Sequence, residues 1–353
     1  MSEEIKSTRP KRPGSEAFSP AEQYQKLSPC EITVFFAKCH LRAVVKPNNQ
    51  QAHFFGAIMQ NQKIRRKHSG FSRLRIWLST ARAVIDSSYG EERLTNFQAR
   101  LGGRMPTGEE AKDLILAACD NNYFEKFAVS LLSSISAVPG THAIHLHLLD
   151  PSEETITRAE ALRKSYANVR LSYTIDSCTD IHSSNPTGIY YTAARFILAP
   201  LLLERGVKRL FIIDVDSVMN KSPWPIIDNM PEDTSAGFVF RPEKRRLWQK
   251  ILANAVLFEA DAVSQLFTKR LARALLMNVS RPQEYYVDQI IPHYLIERSG
   301  ADTQSRIKSL PTSLMSLEYA EDAAFWTAKG ADKHSEQFAI VQRAQLVVAQ
   351  AVA

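Results

Sequence analysis

The sequence predicts an α/β protein with a mixed, mostly parallel sheet flanked by helices, preceded by a basic and largely helical N-terminal extension. The main observation is that short β-branched apolar segments alternate with stretches of helical periodicity from Asp113 onward. Such alternation is typical of parallel strands joined by right-handed helical crossovers. The second observation is that 353 residues, 44% hydrophobic and 23% charged, suffice to bury a large core.

The chain divides into four predicted segments. Residues 1–20 are polar and proline-rich, which predicts a disordered basic tail. Residues 21–110 form a helical extension whose role the sequence does not reveal, residues 111–340 form the sheet domain, and residues 341–353 form a C-terminal tail. Within the extension, a helix is expected over residues 71–85. Its apolar positions are Leu74, Trp77, Leu78, Ala81 and Ile85.

The elements of the sheet domain follow from apolar runs, helical spacing and Gly or Pro breaks. Strands are expected at residues 114–119, 143–149, 169–173, 207–213, 236–240 and 255–258. Helices are expected at residues 124–136, 153–166, 188–205, 262–276 and 287–296.

Positive charge is concentrated near the N-terminus. Residues 1–110 hold 18 Lys and Arg against 10 Asp and Glu, whereas the rest of the chain holds 26 against 27. The basic cluster at residues 63–68, followed by Arg73 and Arg75, is suited to an anionic partner such as nucleic acid, anionic lipid or an acidic acceptor. A solvated charged face is the alternative interpretation, and no recognisable nucleic-acid motif accompanies the cluster.

Cysteine spacing and hydropathy argue against several classes of protein. Cys30, Cys39, Cys119 and Cys178 lack paired CxxC spacing, which disfavours a zinc site and a disulfide scaffold. No run of about 18 apolar residues is present, and the polar start lacks the apolar segment of a secretory signal. We therefore expect no transmembrane segment and a cytoplasmic location.

Two aspartates, Asp214 and Asp216, directly follow the apolar strand expected at residues 207–213. In an extended segment, residues i and i+2 face the same way, so their carboxylates are expected to converge at the carboxyl edge of the sheet, where ligands bind. Such oxygen donors suit Mg²⁺ or Mn²⁺. The alternative is a strand-end aspartate that caps the next turn, with Asp216 merely solvated.

Two further segments with recognisable motifs precede the aspartate pair along the chain. The turn Cys-Asp-Asn-Asn-Tyr-Phe at 119–124 follows the first strand, and Tyr-Tyr-Thr-Ala-Ala-Arg-Phe at 190–196 lies on the helix before the aspartate strand. With the aspartate pair, they make residues 112–334 resemble the GT-A glycosyltransferases. The resemblance is strongest to the retaining, family-8-like enzymes, which use nucleotide sugars and carry a DxD motif.

The resemblance implies roles for these residues. Asp120, Asn122 and Tyr123 would hold the base and ribose of the nucleotide. Arg195 would bind phosphate or sugar oxygens of the donor, and the aspartate pair would hold Mn²⁺ or Mg²⁺ against the diphosphate. A core aromatic remains the alternative for Tyr123, and a structural ion pair remains the alternative for Arg195.

Two downstream segments are also similar to the family. Asn254 matches a sugar-binding asparagine, although Val256 stands where the family has glycine. Asp288 matches a residue that binds sugar hydroxyls, and Gln289 matches a residue facing the anomeric carbon. The alternatives are a strand-edge amide for Asn254 and a helix N-terminus that uses Asp288 for its first N–H groups.

The C-terminal match is the poorest. Alignment on Gly330 puts Lys333 at a phosphate-binding lysine, with Lys329 as a second positive charge. It places the family's metal-binding histidine on Thr327, so His334 or water would have to supply that ligand. The alternatives are a solvated lysine pair and an ordinary surface histidine.

The resemblance implies a hexosyltransferase that moves a sugar from a nucleotide donor, expected to be a UDP-sugar, to an acceptor hydroxyl on an unknown glycan, lipid or protein with retention. One rival is a non-catalytic or degenerate protein that binds sugar nucleotides or nucleic acid. A sugar-1-phosphate nucleotidyltransferase is disfavoured. That class needs a glycine-rich basic loop after the first strand, whereas the first strand here is followed by Asp120, Asn121 and Asn122.

Overall fold

The computed structural model describes residues 70–108, 112–179, 187–282, 286–328 and 330–343. Its centre is an eight-stranded sheet in the order β1-β4-β3-β2-β5-β8-β7-β9. These strands are β1 Gly102–Arg104, β2 Asp113–Cys119, β3 His142–Leu149, β4 Val169–Asp176, β5 Arg209–Ile213, β7 Ala236–Phe240, β8 Ile251–Glu259 and β9 Ile307–Ser309. A three-stranded sheet in the order β10-β11-β6 contains β6 Ser217–Met219, β10 Met315–Ser316 and β11 Phe325–Thr327.

The helices are α1 Gly70–Ile85, α2 Glu91–Arg100, α3 Asn121–Tyr123, α4 Val129–Ala137, α5 Glu153–Ser165, α6 Thr187–Glu204, α7 Trp224–Ile227, α8 Ala262–Val279, α9 Val287–Arg298 and α10 Ala301–Ser305. A π-helical segment, Phe124–Ala128, joins α3 to α4. Short 3-10 helices cover Leu247–Gln249 and Gly330–His334, and residues 336–343 are helical.

The predicted fold class, a mixed and mostly parallel sheet flanked by helices, is confirmed. Strands β2, β3, β4 and β5 run parallel, whereas β8 is antiparallel to β5 and β1 is antiparallel to β4. The chain leaves β2 for β3 and β4 on one side, and it returns to β5 on the other side. The strand order therefore reverses between β2 and β5, and ligands of open α/β sheets bind outside the carboxyl ends of the strands at such a point.

Both faces of the sheet are buried. On β5, Leu210 and Ile212 belong to one apolar cluster, whereas Phe211 and Ile213 belong to the other. The first cluster includes side chains of α6 and α8, and the second includes side chains of α4. Burial on both faces explains why these strands are continuous apolar runs in the sequence, and it gives the residues that follow them a rigid support.

Residues 70–104 of the predicted extension share this core. Both α1 and α2 pack against α8, α1 also packs against α9, and β1 pairs with β4. Ile76, Ala83 and Phe97 are fully buried in the cluster that contains Leu210 and Ile212. These residues therefore belong structurally to the sheet domain.

The helix expected over residues 71–85 forms, but most of the apolar residues that indicated it do not face the core. Leu74, Trp77, Leu78 and Ile85 are exposed. The buried residues of α1 are Ser72, Ile76, Ser79, Thr80 and Ala83. Small side chains at these positions let α1 pack closely on its neighbours, so an apolar stripe does not identify the packed face here.

Several predictions concern residues outside the described ranges. These are the tail at residues 1–20, the basic cluster at 63–68, and Cys30 and Cys39. Cys119 is buried and Cys178 is half-buried, and both are free thiols. Among the described helices, none combines the length and apolar character needed to cross a membrane.

Candidate active site

Asp214 directly follows β5, and Asp216 lies in the turn before β6. The strand ends at Ile213 as predicted, but the expectation that the backbone stays extended through Asp216 is wrong, because residues 215–216 form a turn. The chain turns there because β6 pairs with β11 in the second sheet. Asp214 keeps 32% of its side chain exposed, whereas Asp216 is only 2% exposed, so the two carboxylates occupy different environments.

Arg195 on α6 holds Asp214. Its buried guanidinium forms an ion pair with the Asp214 carboxylate. It also donates to the carbonyl oxygens of Ala253 at 2.8 Å and Ile213 at 3.3 Å. The ion pair that the sequence left open is therefore present, but the Nε of Arg195 has no hydrogen-bond partner among the described residues.

Lys333 forms an ion pair with Asp216. The second sheet brings it there, because Thr327 on β11 lies opposite Ser217 on β6 and the 3-10 helix Gly330–His334 follows shortly after. Burial and the nearby charge of Asp214 raise the pKa of Asp216 to about 6, while Lys333 opposes the rise. A buried carboxylate with a raised pKa at a ligand-binding edge is typical of a functional site.

The predicted nucleotide turn follows β2, the neighbour of β5. Asp120 caps α3, where its carboxylate accepts from the Tyr123 N–H at 2.8 Å. The half-buried Tyr123 ring packs on Phe127 at 5.1 Å between centroids, and the Lys333 Nζ lies 5.2 Å from its centroid. Asn122 is exposed. Tyr123 therefore lies beside Lys333, and Asp120 caps the turn that carries it.

Asn121, which the sequence analysis did not assign to the site, fixes this turn. Its amide nitrogen donates to the Asp150 carbonyl at 3.1 Å, and its oxygen accepts from the Ser152 N–H at 2.8 Å. The ends of β2 and β3 are thereby joined.

Asn254 lies where the ladder between β7 and β8 is interrupted, because the register shifts past residues 253–255. It is 7% exposed, and neither atom of its amide group has a hydrogen-bond partner among the described residues. Continuing the β5–β8 register one step beyond Ile213–Ala255 places Asn254 beside Asp214. Burying an unpaired amide is costly, so this amide is a candidate ligand-binding group. Val256 packs in the core.

Asp288 and Gln289 lie in the first turn of α9. Asp288 is buried, and its place in the first turn is compatible with the alternative in which it interacts with the first N–H groups of the helix. Gln289, with its amide nitrogen oriented towards its neighbours, donates to the carbonyls of Trp248 at 2.6 Å and Ile251 at 3.0 Å. These contacts tie α9 to the start of β8, and the assignment of Gln289 to the donor face stays a prediction.

The donor set fits a hard divalent cation in part. Asp214 and Asp216 supply two carboxylates, and Asp216 accepts no hydrogen bond from the described residues beyond its ion pair with Lys333. Across the described ranges, no three His, Cys, Asp or Glu side chains are grouped to hold a metal. The Thr327 hydroxyl is buried against Ser217. Lys329 and the His334 side chain lie outside the described structure.

Asp176, at the end of β4, is a buried residue that the sequence analysis missed. Arg100 donates to its carboxylate at 2.8 Å, and the Tyr190 hydroxyl donates as well. Burial acts to raise the pKa of Asp176, but the hydrogen bond from Arg100 and the other favourable contacts outweigh it, so the pKa is lowered. Arg100 precedes Asp176 by 76 residues, and no local pattern reveals such a pair.

Comparisons with known proteins gave likenesses among solved structures. No family model matches the chain, and no curated protein matches it. The apo structure of the bifunctional glycosyltransferase WbbM has 14% identity and a TM-score of 0.45, over 65% of this chain and 47% of that one. The glycosyltransferase GlyE from Streptococcus pneumoniae TIGR4 has 12% identity and a TM-score of 0.47, over 68% and 63%.

The galactosyltransferase LgtC, in complex with donor and acceptor sugar analogues, has 16% identity and a TM-score of 0.46, over 67% of this chain and 95% of that one. All three TM-scores lie below 0.5. The chain spans about half the length of WbbM and less than two thirds of GlyE.

Proposed function

We propose that this chain is a glycosyltransferase that moves a sugar from a nucleotide-sugar donor, a UDP-sugar, to an acceptor hydroxyl with retention of configuration. The observation that carries the proposal is a charge-compensated cluster at the point where the strand order reverses. There, Arg195 pairs with Asp214, and Lys333 pairs with Asp216. These residues are also the positions at which the sequence resembles the family-8-like enzymes.

The neighbouring strand supports a nucleotide site. β2 and β5 are parallel neighbours, so the turn that starts at Asp120 and the residues that follow Ile213 lie at the same edge of the sheet. Tyr123 offers a partly exposed ring for base stacking. A nucleotide held at Asp120 and Tyr123 would direct its diphosphate towards Lys333 and Arg195.

The chemistry required is stabilisation of the leaving group. The acceptor oxygen forms a bond to the anomeric carbon, the bond from that carbon to the diphosphate breaks, and the acceptor proton passes to a phosphate oxygen. Arg195 and Lys333 would stabilise the negative charge on the departing diphosphate, since such groups act strongly in a partly buried site. Mn²⁺ or Mg²⁺ held by Asp214 and Asp216 would supply Lewis-acid assistance when bound.

Sugar recognition is assigned to the remaining polar residues. Asn254 would hydrogen-bond the donor sugar through the amide that has no protein partner in the described structure. Asp288 would bind sugar hydroxyls, and Gln289 would lie on the face from which the retained product forms. Lys329 and His334 are proposed as a second phosphate-binding cation and an additional metal ligand.

A thermal-shift screen of nucleotide sugars with Mn²⁺ tests the donor, because ligand at 100 times its Kd raises the unfolding free energy by about 2.7 kcal/mol. A turnover assay then compares Asp214→Asn and Asp216→Asn with Asp233→Asn, an exposed carboxylate paired with Lys308. We expect turnover to fall only in the first two variants and to require the added metal. Full turnover in the Asp214→Asn, Asp216→Asn double variant would contradict the proposal.

A second candidate is a binding protein that holds a sugar nucleotide without transferring the sugar. Two observations favour it. Lys333 forms an ion pair with Asp216, which is an expected metal ligand. The position expected for a metal-binding histidine is occupied by the buried Thr327. Nucleotide binding that needs no metal, with neither donor hydrolysis nor transfer, would support this candidate over the first.

A further inference from the structure

The outer face of α1 exposes large apolar side chains. The exposed fractions are 77% for Phe71, 52% for Leu74, 41% for Trp77, 54% for Leu78 and 86% for Ile85. Steps of three, four and seven residues place Phe71, Leu74, Leu78 and Ile85 on one side of the helix. The opposite side packs against α8 and α9, and a contiguous exposed apolar face of this kind marks an interaction surface.

A shallow cavity extends this face towards α9. It has a volume of about 290 Å³ and is lined by Gly70, Arg73, Leu74, Trp77 and Tyr294. The guanidinium of Arg298 lies 4.1 Å from the centre of the Trp77 ring. A cation therefore sits directly beside the apolar stripe.

The charge on α1 itself is positive. Residues 70–85 contain three Arg and no Asp or Glu, and the nearby Glu297 on α9 is paired with His293. On α1 itself, Arg73 and Arg82 are exposed, although Arg82 also approaches Asp86 at 3.6 Å. The partner of this surface must therefore accept both apolar side chains and positive charge.

We propose that the outer face of α1 docks on an anionic lipid surface. An amphipathic helix with a basic polar side lies in the interface and inserts its apolar side chains between the headgroups. The arginines of α1 would be drawn to acidic headgroups over a distance of about one Debye length. This inference does not depend on the proposed sugar transfer.

Charge complementarity favours a lipid surface over a second copy of the chain or a nucleic acid. A second copy docked face to face would bring two acid-free, positively charged segments together, which costs electrostatic energy. Nucleic acid would satisfy the arginines but would not cover the aliphatic side chains Leu74, Leu78 and Ile85. Only an anionic surface with an apolar interior can accept both the arginines and the aliphatic side chains.

Flotation of the full chain with vesicles tests the proposal. We expect binding to phosphatidylcholine vesicles that contain phosphatidylserine, weak binding to phosphatidylcholine alone, and release at high salt. The variant Leu74→Ser, Leu78→Ser should bind about tenfold more weakly, because two inserting side chains are lost. Leu266→Ser on α8 is the matched control, since Leu266 is also exposed, at 47%, and it should bind like the wild type.

Two further measurements sharpen the test. Replacing Arg73 and Arg82 with Gln should weaken binding and flatten its salt dependence, whereas the same change at the exposed Arg245 should not. Tryptophan emission should shift to the blue on anionic vesicles, and Trp77→Phe should remove most of that shift.

Three results would overturn the proposal. The first is equal binding to neutral and anionic vesicles, and the second is unchanged binding of the Leu74→Ser, Leu78→Ser variant. The third is a wild-type dimer, seen by light scattering, that this variant converts to a monomer while neither form floats. That result would assign the face to a second copy of the chain.

Discussion

Replacing Arg100 with Met tests whether the segment preceding the sheet is integral to the fold. The Arg100 Nε donates to Asp176 at 2.8 Å, and its Nη2 donates to the Tyr190 hydroxyl at 2.9 Å. Asp176 is fully buried. The substitution therefore removes the cation beside a carboxylate that water cannot reach.

The expected loss in unfolding free energy is about 3 kcal/mol. Removing one partner of a buried ion pair costs roughly 3–5 kcal/mol, and a hydrogen bond to a charged group is worth roughly 1.5–3 kcal/mol. The Arg100 side chain is 14% exposed, and Tyr190 and the Cys178 N–H still bond the carboxylate. These features favour the low end of the range.

The loss should depend on pH in a defined direction. The pKa of Asp176 is lowered in the folded state from an ordinary value of 3.8. Its stabilising contribution is therefore present above that value and is lost as the pH falls through the folded-state pKa. We expect Arg100→Met to cost most near pH 7 and clearly less near pH 4, where the carboxyl group of the variant can take up a proton.

Urea denaturation of the variant provides the measurement. Arg170→Met, at an exposed position on β4, is the matched control and should cost less than about 0.5 kcal/mol. Adding Asp176→Asn to Arg100→Met should cost less than the sum of the two single changes, because the residues are coupled. Equal costs for Arg100→Met and Arg170→Met would refute the reasoning.

Three other changes have expected outcomes. Asn254→Ala should weaken UDP-sugar binding about tenfold in calorimetry without lowering stability, because its amide has no protein partner in the described structure; a stability loss above about 1 kcal/mol would reveal such a partner. Gly103→Ala should cost about 2–3 kcal/mol in urea, since φ is +82° and a Cβ would lie 2.5 Å from the Tyr173 carbonyl oxygen. Gly102→Ala, where the nearest atom is 3.6 Å away, should cost much less, and similar costs would contradict the argument. Burial raises the pKa of Glu259 to about 7 from 4.5, so its ionisation opposes folding as the pH rises through that range. Glu259→Gln should then stabilise the protein by about 1 kcal/mol at pH 8, after allowance for partial exposure, and should have no effect near pH 4. A variant that is less stable than the wild type at pH 8 would contradict this argument.

The long elements of the sheet domain are predictable from the sequence because each produces a strong local pattern. The buried parallel strands are continuous apolar runs, and β2, β3 and β7 occur within one residue of the predicted bounds. Strands β6, β10 and β11 were missed because they have only two or three residues each. Such short segments carry no measurable period, although they bring Lys333 to Asp216.

The candidate site was predictable in its residues more than in its geometry. Asp214, Asp216, Arg195 and Lys333 were identified from motifs, and the structure brings them together. Their pairing into two ion pairs depends on contacts between distant segments, which motif spacing does not encode. The Arg100–Asp176 pair and the exposed apolar face of α1 could not be predicted for the same reason. Tertiary packing decides which polar group or helix face is buried.

The central claim is that the cluster around Asp214 and Asp216 binds a nucleotide diphosphate. The direct test is calorimetric titration of UDP and of uridine, with Mn²⁺ present, into the wild type, Lys333→Met and the exposed control Lys126→Met. We predict that UDP binds at least tenfold more tightly than uridine to the wild type and to Lys126→Met, and that Lys333→Met loses most of that difference. Equal affinities for UDP and uridine in the wild type would contradict the claim.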